Sequence, residues 1–243
     1  MHQVKRAIIM AAGTGNRMQP VTLTTPKPMI RVNGVRMIDP VIDALHKNGI
    51  FEIYVVVGYL KEQFQVLERE YEGLTLIENP YYDTCNNISS LYMAREHLSD
   101  VIILDGDQVI FHPEILAPEF ERSGYNAVWT DSHTEEWVMT VEKDIVTGCS
   151  RTGGEKGWQL YSISRWSAED GKKLKKFLEL EFDEKQNRQI YWDDVALFCH
   201  PEDFKLGIRP MEAGDIVEID SFEELVQMDP SYRSYKDGGN CNG

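Results

Sequence analysis

The sequence predicts an α/β protein built on a doubly wound, mainly parallel mixed sheet. Through the first 110 residues, short apolar runs alternate with amphipathic stretches of helical period. The apolar runs are continuous, which is typical of parallel strands covered by helices on both faces. After residue 110 the alternation changes to strands separated by turns, which predicts a smaller excursion from the sheet. A length of 243 residues fits one domain or a small two-part domain.

Each element of the first half follows from its pattern. The predicted strands are Ala7–Met10, Glu52–Val57, Leu74–Ile77 and Val101–Leu104. The predicted helices are Met37–Asn48, Leu60–Tyr71 and Ile88–Leu98. Asp39 is a suitable cap for the first of these helices, and Pro40 suits its first turn.

The second half is predicted in the same way. Its strands are Ala127–Thr130, Val138–Val141, Trp158–Ser164 and Ile216–Ile219. A charged helix over Ser167–Glu181 is opened by the capping pair Ser167 and Asp170, and Tyr191–Phe198 is a further helix. Ser221 and Glu224 open the last helix. Tyr232–Gly243 is polar and rich in Gly and Asn, which predicts a disordered tail or a linker.

Composition excludes several classes of protein. The net charge of -15 disfavours nucleic acid and anionic membranes as partners. The longest apolar runs have four or five residues, whereas a membrane helix needs about 20. The four cysteines are far apart and form no CxxC pair, which favours a reduced, cytoplasmic protein over a disulfide framework or a zinc site.

The N-terminal segment is the most distinctive part of the chain. Its first 38 residues contain six Lys and Arg residues and no acid, which predicts a site for a compact polyanion. Gly13 and Gly15 follow the first strand at once, where backbone N–H groups can approach a phosphate closely. Met18 in place of a third glycine argues against a dinucleotide fingerprint, and no Gly-Lys-Ser/Thr forms a P-loop. Arg17 adds a bidentate phosphate ligand, and Lys27 is predicted to lie on a stiff, extended segment between two prolines.

Two further constellations carry chemistry. Asp105-Gly106-Asp107 ends a strand, where carboxylates can hold Mg²⁺, although an isolated motif of this kind also forms turns and caps. The second constellation suits a quaternary ammonium, because aromatic faces near a carboxylate attract a cation that cannot donate hydrogen bonds. Its candidate rings and acids are Trp137, Trp158, Tyr161, Tyr191, Trp192, Asp193 and Asp194. Each ring taken alone is as well explained as part of the core.

The run AAGTGNRMQPVTLTTPKPMI resembles the signature of the nucleotidyltransferase superfamily that makes NDP-sugars and CDP-alcohols. The segments VVVGYLKEQF, CNNISSLY, LDGDQ, TEEW, YWDD and EIDS are similar to those of bacterial phosphocholine cytidylyltransferases. The resemblance covers residues 4–225 and implies a Rossmann-like nucleotidyltransferase fold. The predicted domain spans residues 1–230 and consists of a nucleotide-binding half (1–110) and an acceptor-binding half (111–230). The tail at 231–243 follows it.

The resemblance also implies roles for residues. Arg17 and Lys27 are catalytic, and Asp107 and Asp220 hold Mg²⁺, with Glu218 a weaker ligand candidate. The expected nucleotide-binding residues are Ala11, Ala12, Gly13, Thr14, Gly15, Gly58, Tyr59, Asn86, Asn87, Ser90 and Asp105.

The implied reaction joins CTP and phosphocholine to give CDP-choline, used to decorate surface glycans, and pyrophosphate. Phosphoethanolamine and 2-aminoethylphosphonate are alternative acceptors. A sugar-1-phosphate nucleotidylyltransferase and a nucleotide-sensing regulatory domain are alternative functions. The sequence leaves the oligomeric state open.

Overall fold

A computed structural model describes residues 1–235 of the chain. The strands are β1 (His2–Gln3), β2 (Arg6–Ala11), β3 (Arg31–Val32), β4 (Val35–Arg36), β5 (Glu52–Val57), β6 (Leu74–Glu78), β7 (Val101–Asp105), β8 (Gln108–Ile110), β9 (Glu119–Phe120), β10 (Gly124–Thr130), β11 (Val138–Glu142), β12 (Ile145–Ser150), β13 (Gly157–Trp166), β14 (Gly207–Met211) and β15 (Ile216–Glu218). The α-helices are α1 (Ile38–Lys47), α2 (Leu67–Glu70), α3 (Ile88–Met93), α4 (Ala168–Glu179), α5 (Trp192–Asp194) and α6 (Phe222–Met228). Short 3-10 and π-helical turns join them.

The main sheet has nine strands and mixed topology. Its order is β6-β5-β2-β7-β13-β10-β14, and β11 and β12 branch from the start of β13. The central strand β2 pairs in parallel with both β5 and β7, whereas β13 runs antiparallel to β7 and β10. Strands β5 and β7 lie on the two sides of β2, so the strand order reverses at β2. At such a reversal a crevice opens at the carboxyl ends of the strands, here those of β2 and β7.

Helices cover both faces of this sheet, as the apolar strands predict. On one face, α1 packs Ile38, Val41 and Leu45 against the sheet. On the other face, α3, α4 and the segment from α5 onward contribute a second core with Leu91 and Leu174. The α/β class and the doubly wound arrangement predicted from the sequence are confirmed.

A third, smaller core holds the N-terminal loop to the C-terminal helix. Met18, Val21 and Ile30 pack against Ile219 and Leu225. Residues separated by about two hundred positions therefore share one apolar contact surface. This packing fixes the loop that follows β2 beside the segment between β15 and α6.

Several predicted boundaries need correction. Helix α1 begins at Ile38, so Asp39 lies inside its first turn and its carboxylate accepts hydrogen bonds from Arg36 instead of capping the helix. The helix predicted over 60–71 is a 3-10 helix at Lys61–Val66 followed by the single turn α2. The helix predicted over 88–98 stops at Met93, and a 3-10 turn follows.

The second half differs more. Strands β8, β12 and β14 were not predicted from the sequence. The predicted helix over 191–198 is the single turn α5 followed by a π-helical turn at Val195–Cys199. The caps at Ser167 and Ser221 are confirmed, because each hydroxyl accepts a backbone N–H three residues on.

The predicted disordered tail starts too early. Pro230–Tyr235 forms a 3-10 helix, and the Tyr232 hydroxyl donates to the Arg31 carbonyl oxygen at 2.8 Å. The remainder of the tail, residues 236–243, lies outside the described residues. Within residues 1–235, no helix is both long enough and apolar enough to cross a lipid bilayer.

Candidate active site

The glycine-rich loop leaves the end of β2 at the crevice. Gly15 has φ +63°, and a Cβ there would lie 2.9 Å from the Thr22 methyl carbon. The Thr22 hydroxyl donates to the Gly15 carbonyl oxygen at 3.0 Å. Tyr59, which follows the neighbouring strand β5, holds the loop in place with two hydrogen bonds. Its hydroxyl donates to the Thr22 carbonyl oxygen, and its N–H donates to the Ala12 carbonyl oxygen. A side chain at position 15 would therefore be both strained and crowded.

Four charged residues predicted to act together meet in one place. The Lys27 ammonium lies 2.6 Å from an Asp107 carboxylate oxygen and 2.7 Å from one of Asp220. Arg17 reaches the same Asp220 oxygen at 3.1 Å. Lys27 does not lie on an extended segment, as the flanking prolines suggested. It begins a 3-10 turn after an extended Pro26, which turns its side chain inward, where it is 10% exposed.

The charges in this cluster stabilise one another. Burial alone would lower the pKa of Lys27, but Asp107 and Asp220 outweigh it and leave the pKa above its ordinary value. Burial would raise the pKa of Asp220, but Lys27 and Arg17 hold it below the usual range. Lys27 and Asp220 are therefore both ionised near neutral pH.

A second pair of acids lies deeper in the crevice. Burial, with the charges of Asp107 and Glu218, raises the pKa of Asp105 well above its ordinary value. Burial also raises the pKa of Glu218 to about 7, although Gln108 donates to its carboxylate at 2.8 Å. Asp105 ends strand β7 and Glu218 ends strand β15.

The crevice is a cavity of about 510 Å³. Its lining joins the charged cluster to an acceptor-side wall and comprises Gly15, Asn16, Arg17, Lys27, Asn87, Asp105, Asp107, Glu136, Trp137, Leu160, Ser162, Tyr191, Asp193, Glu218 and Asp220. On that wall, the rings of Trp137 and Tyr191 meet edge to face, with centroids 5.7 Å apart. The cavity thus has a polar end suited to phosphates and an end with aromatic and acidic side chains.

Asp193 is the most unusual group on the acceptor side. It is 7% exposed, lines the cavity and interacts through its carboxylate with the buried Tyr125 hydroxyl. Burial raises its pKa to about 7 and the charge of Asp194 adds to that rise, whereas the Tyr125 hydroxyl opposes it. A carboxylate that is costly to bury in this way is suited to receive a hydrogen-bond donor or a cation.

The remaining predicted acceptor residues are not on the cavity wall. Trp192 is 1% exposed and packs in the core against Tyr125 and Trp166. Trp158 contacts Trp129 and lines a different cavity. Tyr161 points to the opposite face of the sheet, because side chains alternate along β13.

Asp194 also differs from its predicted role. Its carboxylate is bonded to Arg151 and to the N–H of Tyr191, so it is not a free counter-charge for a ligand.

Two of the predicted base-reading residues, Asn86 and Asn87, join the two halves of the domain. The side-chain amide of Asn86 donates to the Gln189 carbonyl oxygen, and Asn87 Oδ1 accepts the Trp192 N–H at 2.9 Å. Ser90 is buried and accepts from Asn79. Asn87 alone of these lines the cavity, and their role toward the base stays a prediction.

Sequence reasoning missed four cavity residues. Asn16 lies within the glycine-rich run and Glu136 within the TEEW motif, but neither was singled out, and Leu160 and Ser162 flank Tyr161. Alternation along a predicted strand could have identified the last two, since they share the face that Tyr161 does not.

Comparison with known proteins finds relatives that match most of this chain. The family model of the MobA-like NTP transferase domain matches residues 7–171. A 2-aminoethylphosphonate cytidylyltransferase of Lancefieldella rimae is 42% identical over 93% of this chain and 92% of its own. A choline-phosphate cytidylyltransferase of Streptococcus pneumoniae is 31% identical over 92% and 96%.

Solved structures of other nucleotidyltransferases have the same fold as this chain. The CTP:phosphocholine cytidylyltransferase of Streptococcus pneumoniae superimposes with a TM-score of 0.86 at 31% identity, covering 95% of this chain and 100% of that one. The inositol-1-phosphate CTP transferase of T. maritima shares the fold, with a TM-score of 0.71 at 17% identity over 93% and 96%. The chain belongs to the MobA-like NTP transferase family and, within it, is a cytidylyltransferase.

Proposed function

We propose that this cytidylyltransferase uses 2-aminoethylphosphonate as its acceptor. The observation that carries the proposal is the Asp193 carboxyl on the lining of the acceptor side of the cavity. A primary ammonium donates directed hydrogen bonds to a carboxylate, whereas a trimethylammonium cannot. Glu136, on the same cavity, offers a second acceptor. The 42% identical relative from Lancefieldella rimae supports the same acceptor.

Phosphocholine is the second candidate. Trp137 and Tyr191 provide ring faces on the acceptor side, and such faces attract a quaternary ammonium. The aromatic argument for phosphocholine used five rings, however, and only these two line the cavity. The 31% identical relative from Streptococcus pneumoniae supports phosphocholine as the main alternative acceptor.

In the proposed reaction, an anionic oxygen of the acceptor attacks the α-phosphorus of CTP. A new P–O bond forms, the bond from the α-phosphorus to the bridging oxygen of the β-phosphate breaks, and pyrophosphate leaves with that electron pair. The attacking oxygen is already ionised, so no general base is required. Catalysis then depends on alignment and on neutralising negative charge. Lys27 lies where it can meet the charge that develops, while Arg17 and the loop N–H groups hold the triphosphate.

The residues present fit a Mg²⁺ ion. One oxygen each of Asp107 and Asp220 lies within 2.7 Å of the same Lys27 atom, so the two carboxylates converge. No group of three metal-ligating side chains occurs in residues 1–235, and Mg²⁺ typically takes one or two carboxylates together with substrate phosphates and water. Bound there, the ion would neutralise the reacting phosphates.

A competition assay tests the acceptor. The enzyme is given CTP, Mg²⁺ and equal concentrations of 2-aminoethylphosphonate, phosphoethanolamine and phosphocholine, and the three products are separated by mass. We expect a preference of at least about tenfold for the primary amines over phosphocholine, which requires only ~1.4 kcal/mol of differential binding. Comparison of the two primary amines then tests the phosphonate against the phosphate.

Two variants identify the groups responsible. Asp193→Asn should reduce the use of both primary amines, whereas Trp137→Leu should reduce the use of phosphocholine more. If the wild type formed CDP-choline preferentially, we would conclude that the acceptor is phosphocholine and not the phosphonate. Turnover of none of the three compounds would refute an amine acceptor altogether.

A further inference from the structure

The acceptor-side wall is assembled from two separate parts of the chain. Trp137 precedes β11 in the β11–β12 hairpin, and its carbonyl oxygen accepts the Leu160 N–H at 2.8 Å. Its ring meets Tyr191 and Phe198, both from the segment 191–198, edge to face at 5.7 and 5.5 Å. The ring geometry of the wall therefore depends on how the hairpin sits against that segment.

Arg151, which directly follows β12, bridges this junction. Its Nε and Nη2 atoms donate to Asp194 Oδ1 at 2.8 and 2.5 Å. Among the described residues, this is the only ion pair that joins residues 131–157 to residues 186–200. The guanidinium carbon also lies 3.6 Å above the Phe198 ring and 5.8 Å from the Trp137 ring.

Asp194 connects the same pair to Tyr191. Its second oxygen, Oδ2, accepts the Tyr191 N–H at 2.8 Å, and its side chain is 4% exposed. One buried carboxylate thus binds Arg151 with one oxygen and fixes the backbone of Tyr191 with the other. Neither Arg151 nor Asp194 lines the cavity, so neither is placed to touch the acceptor.

We propose that Arg151 and Asp194 are positioning residues, which hold Trp137 and Tyr191 as one wall and thereby set the affinity for the acceptor amine. The inference rests on the proposed use of an amine acceptor. It assigns Asp194 an indirect role in place of the direct one predicted from the sequence. Because half of the Arg151 side chain is exposed, the contribution is moderate, combining one ion pair with two ring contacts.

Kinetics with separate substrate titrations test the pair. In Arg151→Met, the KM for the acceptor should rise about tenfold, while the KM for CTP should stay within about twofold. Asp194→Asn keeps an oxygen for the Tyr191 N–H and removes only the charge, so it should raise the KM for the acceptor by less than Arg151→Met, which also loses the two ring contacts. The double variant should be no worse than Arg151→Met, since both changes break the same ion pair. Asp194→Ala also releases Tyr191 and should raise the KM for the acceptor further.

Arg95→Met provides the matched control. Arg95 lies 4.0 Å from the Tyr92 ring and pairs with Glu179 at 3.2 Å, so it makes the same kinds of contact outside the cavity. It should leave both KM values unchanged. Equal rises in both KM values for Arg151→Met, or additive effects in the double variant, would overturn the proposal.

A second readout does not depend on the acceptor. Acrylamide quenching isolates Trp137 when each protein is compared with its Trp137→Phe counterpart. The quenching attributed to Trp137 should increase in Arg151→Met and in Asp194→Asn, but not in Arg95→Met. If the wild type used no amine acceptor, this increase would still support the positioning role, whereas unchanged quenching would refute it.

Discussion

Replacement of Asp193 by Asn should weaken acceptor binding and stabilise the protein at the same time. The carboxyl is 7% exposed, and burial raises its pKa from 3.8 to about 7 although the Tyr125 hydroxyl opposes the rise. A shift of about three units corresponds to roughly 4 kcal/mol. Because the folded-state pKa is raised, that free energy is lost from the stability of the protein as the pH rises from about 4 to about 7.

The variant should recover part of this loss. At pH 8, Asp193→Asn should increase the free energy of unfolding by roughly 1–3 kcal/mol, since the amide has its own desolvation cost. At pH 5 the change in the free energy of unfolding should be less favourable than at pH 8 by roughly 2.6 kcal/mol, because the folded wild type is then protonated at this position. Urea unfolding at both pH values, without substrates, measures the difference. Asp183→Asn, which changes an exposed carboxylate bonded to Tyr92, is the matched Asp-to-Asn control.

Acceptor binding should move in the opposite direction. Loss of a charged hydrogen-bond partner should raise the KM for a primary-amine acceptor by about 30-fold or more, corresponding to roughly 2 kcal/mol. In the wild type this KM should also rise as the pH falls below 7. The acceptor itself also titrates, so the KM of the variant is divided by the KM of the wild type at each pH to cancel that effect. A variant that is less stable at pH 8 and binds the acceptor normally would refute this account of Asp193.

Three other predictions concern the phosphate end of the cavity. Asp107→Ala and Asp220→Ala should each lower turnover by about 10³-fold or more, as should a chelator added to the wild type, and normal turnover of the double variant with Mg²⁺ would contradict the metal assignment. Gly15→Val should abolish CTP binding measured by calorimetry, because a Cβ there would lie 2.9 Å from Thr22 in a left-handed backbone, and an unchanged affinity would exclude the loop. Lys27→Ala should lower kcat far more than it weakens CTP binding, as pre-steady-state measurements would show, since its charge acts mainly in the transition state.

The parallel half of the fold could be predicted because each strand is a continuous apolar run followed by a helix. Glu52–Val57 has the same bounds in the structure as in the prediction. Strand β12 was missed because its residues are only partly buried and include Gly148, which leaves no clear alternation. Strand β14 contains Pro210 near its end, which weakens a strand pattern.

The phosphate end was easier to predict than the acceptor side. Glycines and bases next to a strand imply a site whatever the surrounding fold, and the structure brings Lys27 to Asp107 and Asp220. Adjacent aromatic residues cannot be divided between core and cavity without the local backbone. The turn at α5 buries Trp192 under the sheet while it directs Asp193 into the cavity, although the two are neighbours in the chain.

The third core has a consequence for biosynthesis. The loop that carries Lys27 packs against the segment around Asp220, and the two residues are 193 positions apart. At about 5–20 residues per second, a ribosome needs roughly 10–40 s to make the chain between them. During that interval β2, β5, β6 and β7 can already pair, but the loop lacks the part of its apolar core that Ile219 and Leu225 supply. Nascent chains should thus acquire their sheet first, and the ability to bind CTP only once α6 has emerged.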